Sequence, residues 1–262
     1  MEIISYVIVF IFGTIIGSFL NVVIYRLGTG ASIIYGRSMC FSCGKTLSWY
    51  ELIPVFSFVI QNGKCRKCKS KISWQYPAVE ATTGLLFLFT WMLNVQMVEL
   101  FFYWVIISIL VVIAVYDIRH KIIPNGFVYA FIALSLIKLI WYSDYQVVQM
   151  WDFLAGPVLF LPFAALWFMS RGTWMGFGDA KLAWGIGWFL GLSMGIAAVI
   201  LAFWVGALWG LGLIALSHIH KLLLRRKAFT MKSEIPFGPF LVLGTLLVFF
   251  FNIDIFSLVQ VF

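Results

Sequence analysis

The sequence predicts an all-α polytopic membrane protein, with about eight transmembrane helices and a small cytoplasmic zinc-ribbon-like insert. Three observations carry this. Of the 262 residues, 63% are hydrophobic and only 11% are charged, whereas a soluble domain has about a quarter charged. Apolar stretches of membrane-crossing length recur from end to end. All four cysteines fall in one polar interval, as two CxxC pairs.

Crossing about 30 Å of hydrocarbon takes roughly 20 apolar residues. Eight segments are candidates: 3–25, 78–93, 100–116, 127–142, 153–170, 180–191, 194–217 and 237–256. The first has no basic stretch ahead of it and is longer than the apolar core of a cleaved signal, so it is expected to be retained. The sixth is short and rich in glycine, and is expected to be tilted, broken or partly re-entrant beside a cavity. With the N-terminus outside, the loops 26–77, 117–126, 171–181 and 218–236 face the cytoplasm and hold 17 of the 18 Lys and Arg residues. Glu2, Glu99, Asp144, Asp152 and Asp254 lie at outer ends, an asymmetry that follows the positive-inside rule. The remaining cation, Lys138, is near the outer end of its span and is expected to snorkel. The net charge of +8 thus sets orientation before it suggests nucleic acid. The expected domains are a first helix at 1–27, the insert at 28–77 and a membrane core at 78–262.

Within the insert, Cys40-Phe41-Ser42-Cys43 and Cys65-Arg66-Lys67-Cys68 are separated by 21 residues. Two such knuckles match a four-cysteine zinc site, and four thiolates leave no open position, so the metal is expected to be structural. A metal cross-link also suits an insert too small for a core of its own. Gly44 and Gly63 suit the tight turns. Two disulfides are disfavoured by a cytoplasmic location, and neither pair has the βαβ setting of a redox CxxC.

Few carboxylates remain on the predicted inner side: Glu51, Glu80, Asp117, Asp179 and Glu234. An ionised carboxylate close to hydrocarbon is costly, which makes it a functional candidate. Asp179 lies in Gly176-Phe177-Gly178-Asp179-Ala180-Lys181, where small neighbours allow another chain to approach, although a helix cap reads equally well. Asp117 closes the third segment at the same predicted level, with Arg119 and Lys121 near enough in sequence to neutralise it. Glu80 reads most simply as an acid at a helix N-terminus. Gly17-Ser18-Phe19-Leu20-Asn21 with Arg26 reads as a packing face and a snorkelling cation. Gly187, Gly191 and Gly195, with Gly206 and Gly210, read as ordinary close helix packing.

Asp117 and Asp179 are therefore a candidate pair. Two carboxylates on one water do not both ionise, leaving one base to activate the water and one acid to protonate the carbonyl or leaving amine. His120 sits in a basic loop, and His218 and His220 in a cluster ending Arg225-Arg226-Lys227. Neither a nucleophile elbow nor a Walker-type loop occurs.

The chain resembles the bacterial type IV prepilin leader peptidases. The resemblance is carried, in order, by Gly17-Ser18-Phe19-Leu20-Asn21-Val22-Val23-Ile24-Tyr25-Arg26, both CxxC pairs, Leu47-Ser48-Trp49-Tyr50-Glu51-Leu52-Ile53-Pro54 and Tyr76-Pro77-Ala78-Val79-Glu80. It continues through Asp117 with Ile123-Pro124-Asn125, the Gly176–Leu182 stretch, and Ile235-Pro236-Phe237-Gly238-Pro239. The resemblance implies an inner-membrane aspartic endopeptidase that cuts the leader from type IV prepilins and pseudopilins after a glycine, with Asp117 and Asp179 catalytic. Because the cysteine-bearing insert is retained, it also implies methylation of the new N-terminus from S-adenosylmethionine. Glu51, Glu80, Asn21 and Arg26 are the residues considered for the methyl donor, and none is assigned. Leu27-Gly28-Thr29-Gly30 departs from the family, whose members commonly carry a proline and more charge there.

Two alternatives stay open. One is a peptidase without methyl transfer. The other is a zinc-ribbon membrane protein that binds a partner or transports a solute, against which no span carries a mid-membrane charge of the kind an ion path shows.

Overall fold

The computed structural model describes residues 2–142, 150–224 and 236–254. Asp144, Glu234, Ile235, the basic run 225–227 and the end of the eighth predicted segment lie outside these residues, as do the side chains of Glu2, His218 and His220. The described chain is helical: α1 (Glu2–Arg26), α2 (Phe56–Ile60), α3 (Gln75–Met92), α4 (Met97–His120), α5 (Asn125–Tyr142), α6 (Met150–Ser170), α7 (Phe177–Leu190), α8 (Leu192–Leu224) and α9 (Gly238–Phe251), with a 3-10 turn at Trp49–Glu51. Among the described residues, four helices are long and apolar enough to cross a membrane, namely α1, α4, α6 and α8. The chain divides into two compact units, Met1–Val115 and Tyr116–Phe262.

In the first unit α1 lies against α3 through small residues. A Cβ on Gly17 would stand 2.7 Å from the Glu80 Cα, and one on Gly13 2.8 Å from the Gly84 Cα, so the backbones touch. Asn21 Nδ2 donates to the Tyr76 carbonyl at 3.1 Å, and Tyr25 stacks on Tyr76 with ring centroids 5.1 Å apart. The small-residue packing expected of this stretch is therefore present, and Arg26 reaches into the loop that follows α1. Its Nη1 donates to the carbonyls of Ser32 at 2.6 Å and Tyr35 at 2.9 Å. Loop carbonyls without secondary-structure partners are acceptors within its reach.

The insert leaving α1 is built twice on one plan. Cys40 N–H bonds the Lys45 carbonyl and Gly44 N–H the Cys40 carbonyl, each at 2.9 Å; Cys65 N–H bonds the Ser70 carbonyl and Lys69 N–H the Cys65 carbonyl, also at 2.9 Å. Isolated bridges close each turn, Met39 to Thr46 and Lys64 to Lys71. The residue after each second cysteine is left-handed: Gly44 has φ +67° and Lys69 has φ +60°. A lysine there carries a steric cost that glycine does not. Lys69→Gly is therefore expected to stabilise the insert by about 1 kcal/mol, read as slower zinc loss to a chelator. An unchanged rate would show that the turn is not strained.

Glu80 is not the simple helix-terminal acid expected. It sits in the second turn of α3, and its Oε2 accepts the Val55 N–H at 2.7 Å. Val55 has φ +60°, unusual for a β-branched residue. The buried carboxylate thus fastens the insert to α3.

The second unit is arranged around α7, which packs against α5, α6, α8 and α9. Its Ala180, Ala183 and Ile186 are fully buried. It is one continuous helix of 14 residues, about 21 Å at 1.5 Å per residue, and so is shorter than the hydrocarbon layer. Gly191, with φ +81°, ends it. The fourfold glycine spacing is thus two packing sites and one stop: a Cβ on Gly187 would collide with Ala155 of α6 and one on Gly195 with Leu159. Lys138 reaches the carbonyl end of α7. Its Nζ donates to the Phe189 carbonyl at 2.6 Å and lies 4.6 Å from that ring's centroid, because the carbonyl end of α7 attracts a cation.

Candidate active site and metal centre

Asp117 occupies the last turn of α4 and is 4% exposed. Its Oδ2 accepts the main-chain N–H of Gly238, the first residue of α9, at 3.1 Å. Among the described residues Asp117 forms no ion pair with Arg119 or Lys121. Lys121 instead donates its own N–H to the Asp117 carbonyl at 2.7 Å, ending the helix.

Asp179 lies in the first turn of α7 and is 7% exposed. Its N–H donates to the Gly176 carbonyl at 3.1 Å. Its Oδ1 is buried with no hydrogen-bond partner, and a buried acceptor without a partner is costly to keep. The helix-cap alternative does not apply, because Gly176 holds the N-cap position and Asp179 is inside the helix.

One residue joins the two turns. A Cβ on Gly178 would stand 2.8 Å from the Ile123 Cβ, and one on Gly238 would stand 3.2 Å from the Ile123 Cδ1. Ile123 is thus wedged between the glycine beside Asp179 and the glycine that holds Asp117. Asp179 stands in the first turn of α7, and Asp117, though in the last turn of α4, accepts the first N–H of α9; these positive helix ends offset part of the cost of burying negative charge. Just beside them, Lys181 donates to Asn125 Oδ1, tying α7 to the start of α5. The glycines at 178 and 238 leave no room for a methyl group. On Gly238 it would meet Asp117 Oδ2 at 2.6 Å. Gly238→Ala is accordingly expected to displace the Asp117 carboxylate and lower turnover about a hundredfold, a size typical of misplaced catalytic groups. Wild-type turnover in that variant, measured on a leader-bearing peptide, would show that the N–H bond does not position the acid.

Sequence reasoning found both acids but not Ile123 or Gly238 as the parts that seat them. Both lie in short motifs already noted for resemblance, and only the fold shows their use.

The four cysteine sulfurs lie within 4.8 Å of one another, and Cys40 Sγ is 3.7 Å from Cys68 Sγ. Four thiolates at 2.3 Å from a tetrahedral zinc stand about 3.8 Å apart. The Cys43 and Ser42 N–H groups and the Ser70 hydroxyl hold the Cys40 thiol down to about 6, in the state a metal needs. At Cys43 the Lys45 N–H favours the thiolate, but burial and the adjoining Cys68 and Cys40 sulfurs outweigh it and push the thiol up to about 11. Such crowded sulfurs ionise together only with a cation among them. The donor set fits zinc.

The residues considered for a methyl donor do not form a cradle. Arg26 is taken up by loop carbonyls, Glu51 by Lys45 at 2.9 Å and Glu80 by Val55. Asn21 keeps an unpartnered Oδ1, but α1 and α3 touch beside it.

The site so described, two buried acids seated on apolar helices, has the composition of a membrane peptidase of the aspartic class. Comparison with known proteins gives its family. The Type IV leader peptidase family matches residues 104–211, and the Bacterial Peptidase A24 N-terminal domain matches residues 11–94. A Bacillus subtilis protein named prepilin leader peptidase/N-methyltransferase is 35% identical over 95% of this chain and 96% of its own. One of the same name from Vibrio cholerae is 28% identical over 95% and 98%, and one from Myxococcus xanthus is 42% identical over 45% of this chain and 35% of its own. No solved structure matches. The chain belongs to the type IV leader peptidase family.

Proposed function

We propose that this chain is an inner-membrane aspartic endopeptidase that removes the leader of type IV prepilins and pseudopilins after a glycine, and then methylates the new N-terminal amine from S-adenosylmethionine. The observation that carries the peptidase reading is Asp179 Oδ1, buried and unpartnered beside an Asp117 held by the Gly238 N–H. A water at that oxygen has an acceptor for its proton. One aspartate takes the proton as the water oxygen bonds to the scissile carbonyl carbon; the other, protonated, supplies a proton to the amine as the C–N bond breaks. Asp117 and Asp179 have the catalytic roles in this account, and Cys40, Cys43, Cys65 and Cys68 hold a structural zinc in a ribbon-like insert. Eight helices cross the membrane, with the N-terminus outside and the active site at the cytoplasmic face, where the basic leader meets the apolar segment that follows it. The division at 1–27, 28–77 and 78–262 belongs to the same reading. The methyl donor supplies a methyl group to the freed amine, and no residue is assigned to it.

The test is mass spectrometry of a prepilin-type peptide incubated with the reconstituted protein and S-adenosylmethionine. Cleavage after glycine with one added methyl is expected. Cleavage without methylation leaves a peptidase alone, and an intact peptide overturns the reading.

A further inference from the structure

The insert carries a surface that the peptidase does not use. Residues 27–77 hold seven cations against one carboxylate, Glu51. That carboxylate is buried and paired with Lys45. A zinc bound by four thiolates would contribute two negative charges, which still leaves the insert strongly positive. Lys64, Arg66, Lys67, Lys69 and Lys71 all lie in the second knuckle and are exposed, and Lys64 is bridged directly to Lys71. Like charges placed opposite one another repel, so this hairpin calls for an anion.

The hairpin also has a fixed level. α1 is long and apolar enough to cross a membrane, and Asn21, in its second-last turn, bonds the Tyr76 carbonyl. Trp74, two residues earlier and 76% exposed, therefore stands level with the last turns of α1, where a spanning helix meets water. Its ring contacts Phe58 of α2 at 4.8 Å, and Val55, ahead of α2, is fastened to Glu80. α2 is thus held at that boundary. Phe56, Val59 and Ile60 share one face of α2 and are 66%, 65% and 68% exposed. An apolar helical face with an outward tryptophan beside a basic hairpin is the composition of a membrane-surface anchor.

We infer that α2 and the second cysteine knuckle dock on the surface of the bilayer, with Phe56, Val59, Ile60 and Trp74 in the interface and Lys64, Lys67, Lys69 and Lys71 on the headgroups of anionic phospholipids. Cations near an anionic surface add to one another, and the apolar face fixes them at headgroup depth. This surface belongs to the first unit and stands whether or not the acids cleave leaders.

The test uses the full chain in bilayer discs of phosphatidylcholine alone or mixed with phosphatidylglycerol, with amide hydrogen exchange followed across residues 56–72. Phosphatidylglycerol is expected to slow exchange there about tenfold or more. The effect should disappear in a Lys64→Gln, Lys67→Gln, Lys69→Gln, Lys71→Gln variant and shrink in Val59→Ser with Ile60→Ser, each checked for unchanged zinc content. Equal exchange of the wild-type chain in the two discs overturns the inference and needs no variant. Inorganic phosphate that reproduces the slowing in phosphatidylcholine discs marks a free-anion site instead. A polyglutamate peptide that slows exchange where phosphatidylglycerol does not marks a protein-docking face. Either result also overturns it.

Discussion

Asp179→Asn is expected to lower leader cleavage by about a thousandfold to ten-thousandfold, the range associated with loss of a general acid or base, while the protein stays folded and inserted. Asp179 Oδ1 has no protein partner, so the amide leaves the helical packing of α7 intact and removes only proton transfer. Asp117→Asn is expected to lose as much, with an added effect at Gly238. An amide that turns its NH2 toward the Gly238 N–H, the group now donating at 3.1 Å, sets donor against donor and displaces α9. The loss is read as initial rate on a prepilin-type peptide, with thermal unfolding in detergent as the control for fold. Cleavage at the wild-type rate in either variant removes that acid from the chemistry.

Loss of zinc is the second large effect. Cys65 is the buried cysteine of the four, 4% exposed, and its turn carries the hydrogen bonds that shape the second knuckle. Apart from the sulfurs, the insert is held by isolated bridges, short turns and a few side-chain ties such as Lys45–Glu51 and Glu80 to Val55, a small inventory for about 50 residues. Structural zinc contributes on the order of 10 kcal/mol in small metal-folded peptides. Cys65→Ser, or treatment of the wild-type chain with a strong chelator, is therefore expected to unfold residues 28–77 and expose them to protease. Zinc stoichiometry should fall from one per chain toward zero. A Cys65→Ser protein that keeps one tightly bound zinc and resists protease contradicts the four-sulfur site.

Much of this was legible in the sequence because membranes and metals impose strong local rules. Apolar runs marked where helices form, and the separation of Cys43 from Cys65 matched the spacing of paired knuckles. Asp117 and Asp179 stood out because carboxylates are scarce in this composition. What stayed hidden depends on neighbours distant in sequence. Gly238 is 121 positions from the Asp117 carboxylate it bonds. Ile123 reads as one apolar residue among many until two glycines close on it. The partners of Arg26 and Lys138 were equally out of view, since only the fold brings their main-chain acceptors near. Lys69 escaped notice because a left-handed turn is ordinarily marked by glycine, and here only the first knuckle has one.

In the proposed mechanism Asp117 and Asp179 act on one water as a unit. The direct measurement is the cleavage rate of Asp117→Asn, Asp179→Asn and the double variant on one peptide substrate. Residues that act as a unit lose their whole contribution when either is removed, so the double variant is predicted to be no slower than the slower single. Losses that multiply in the double variant would mean two independent contributions and contradict a shared water.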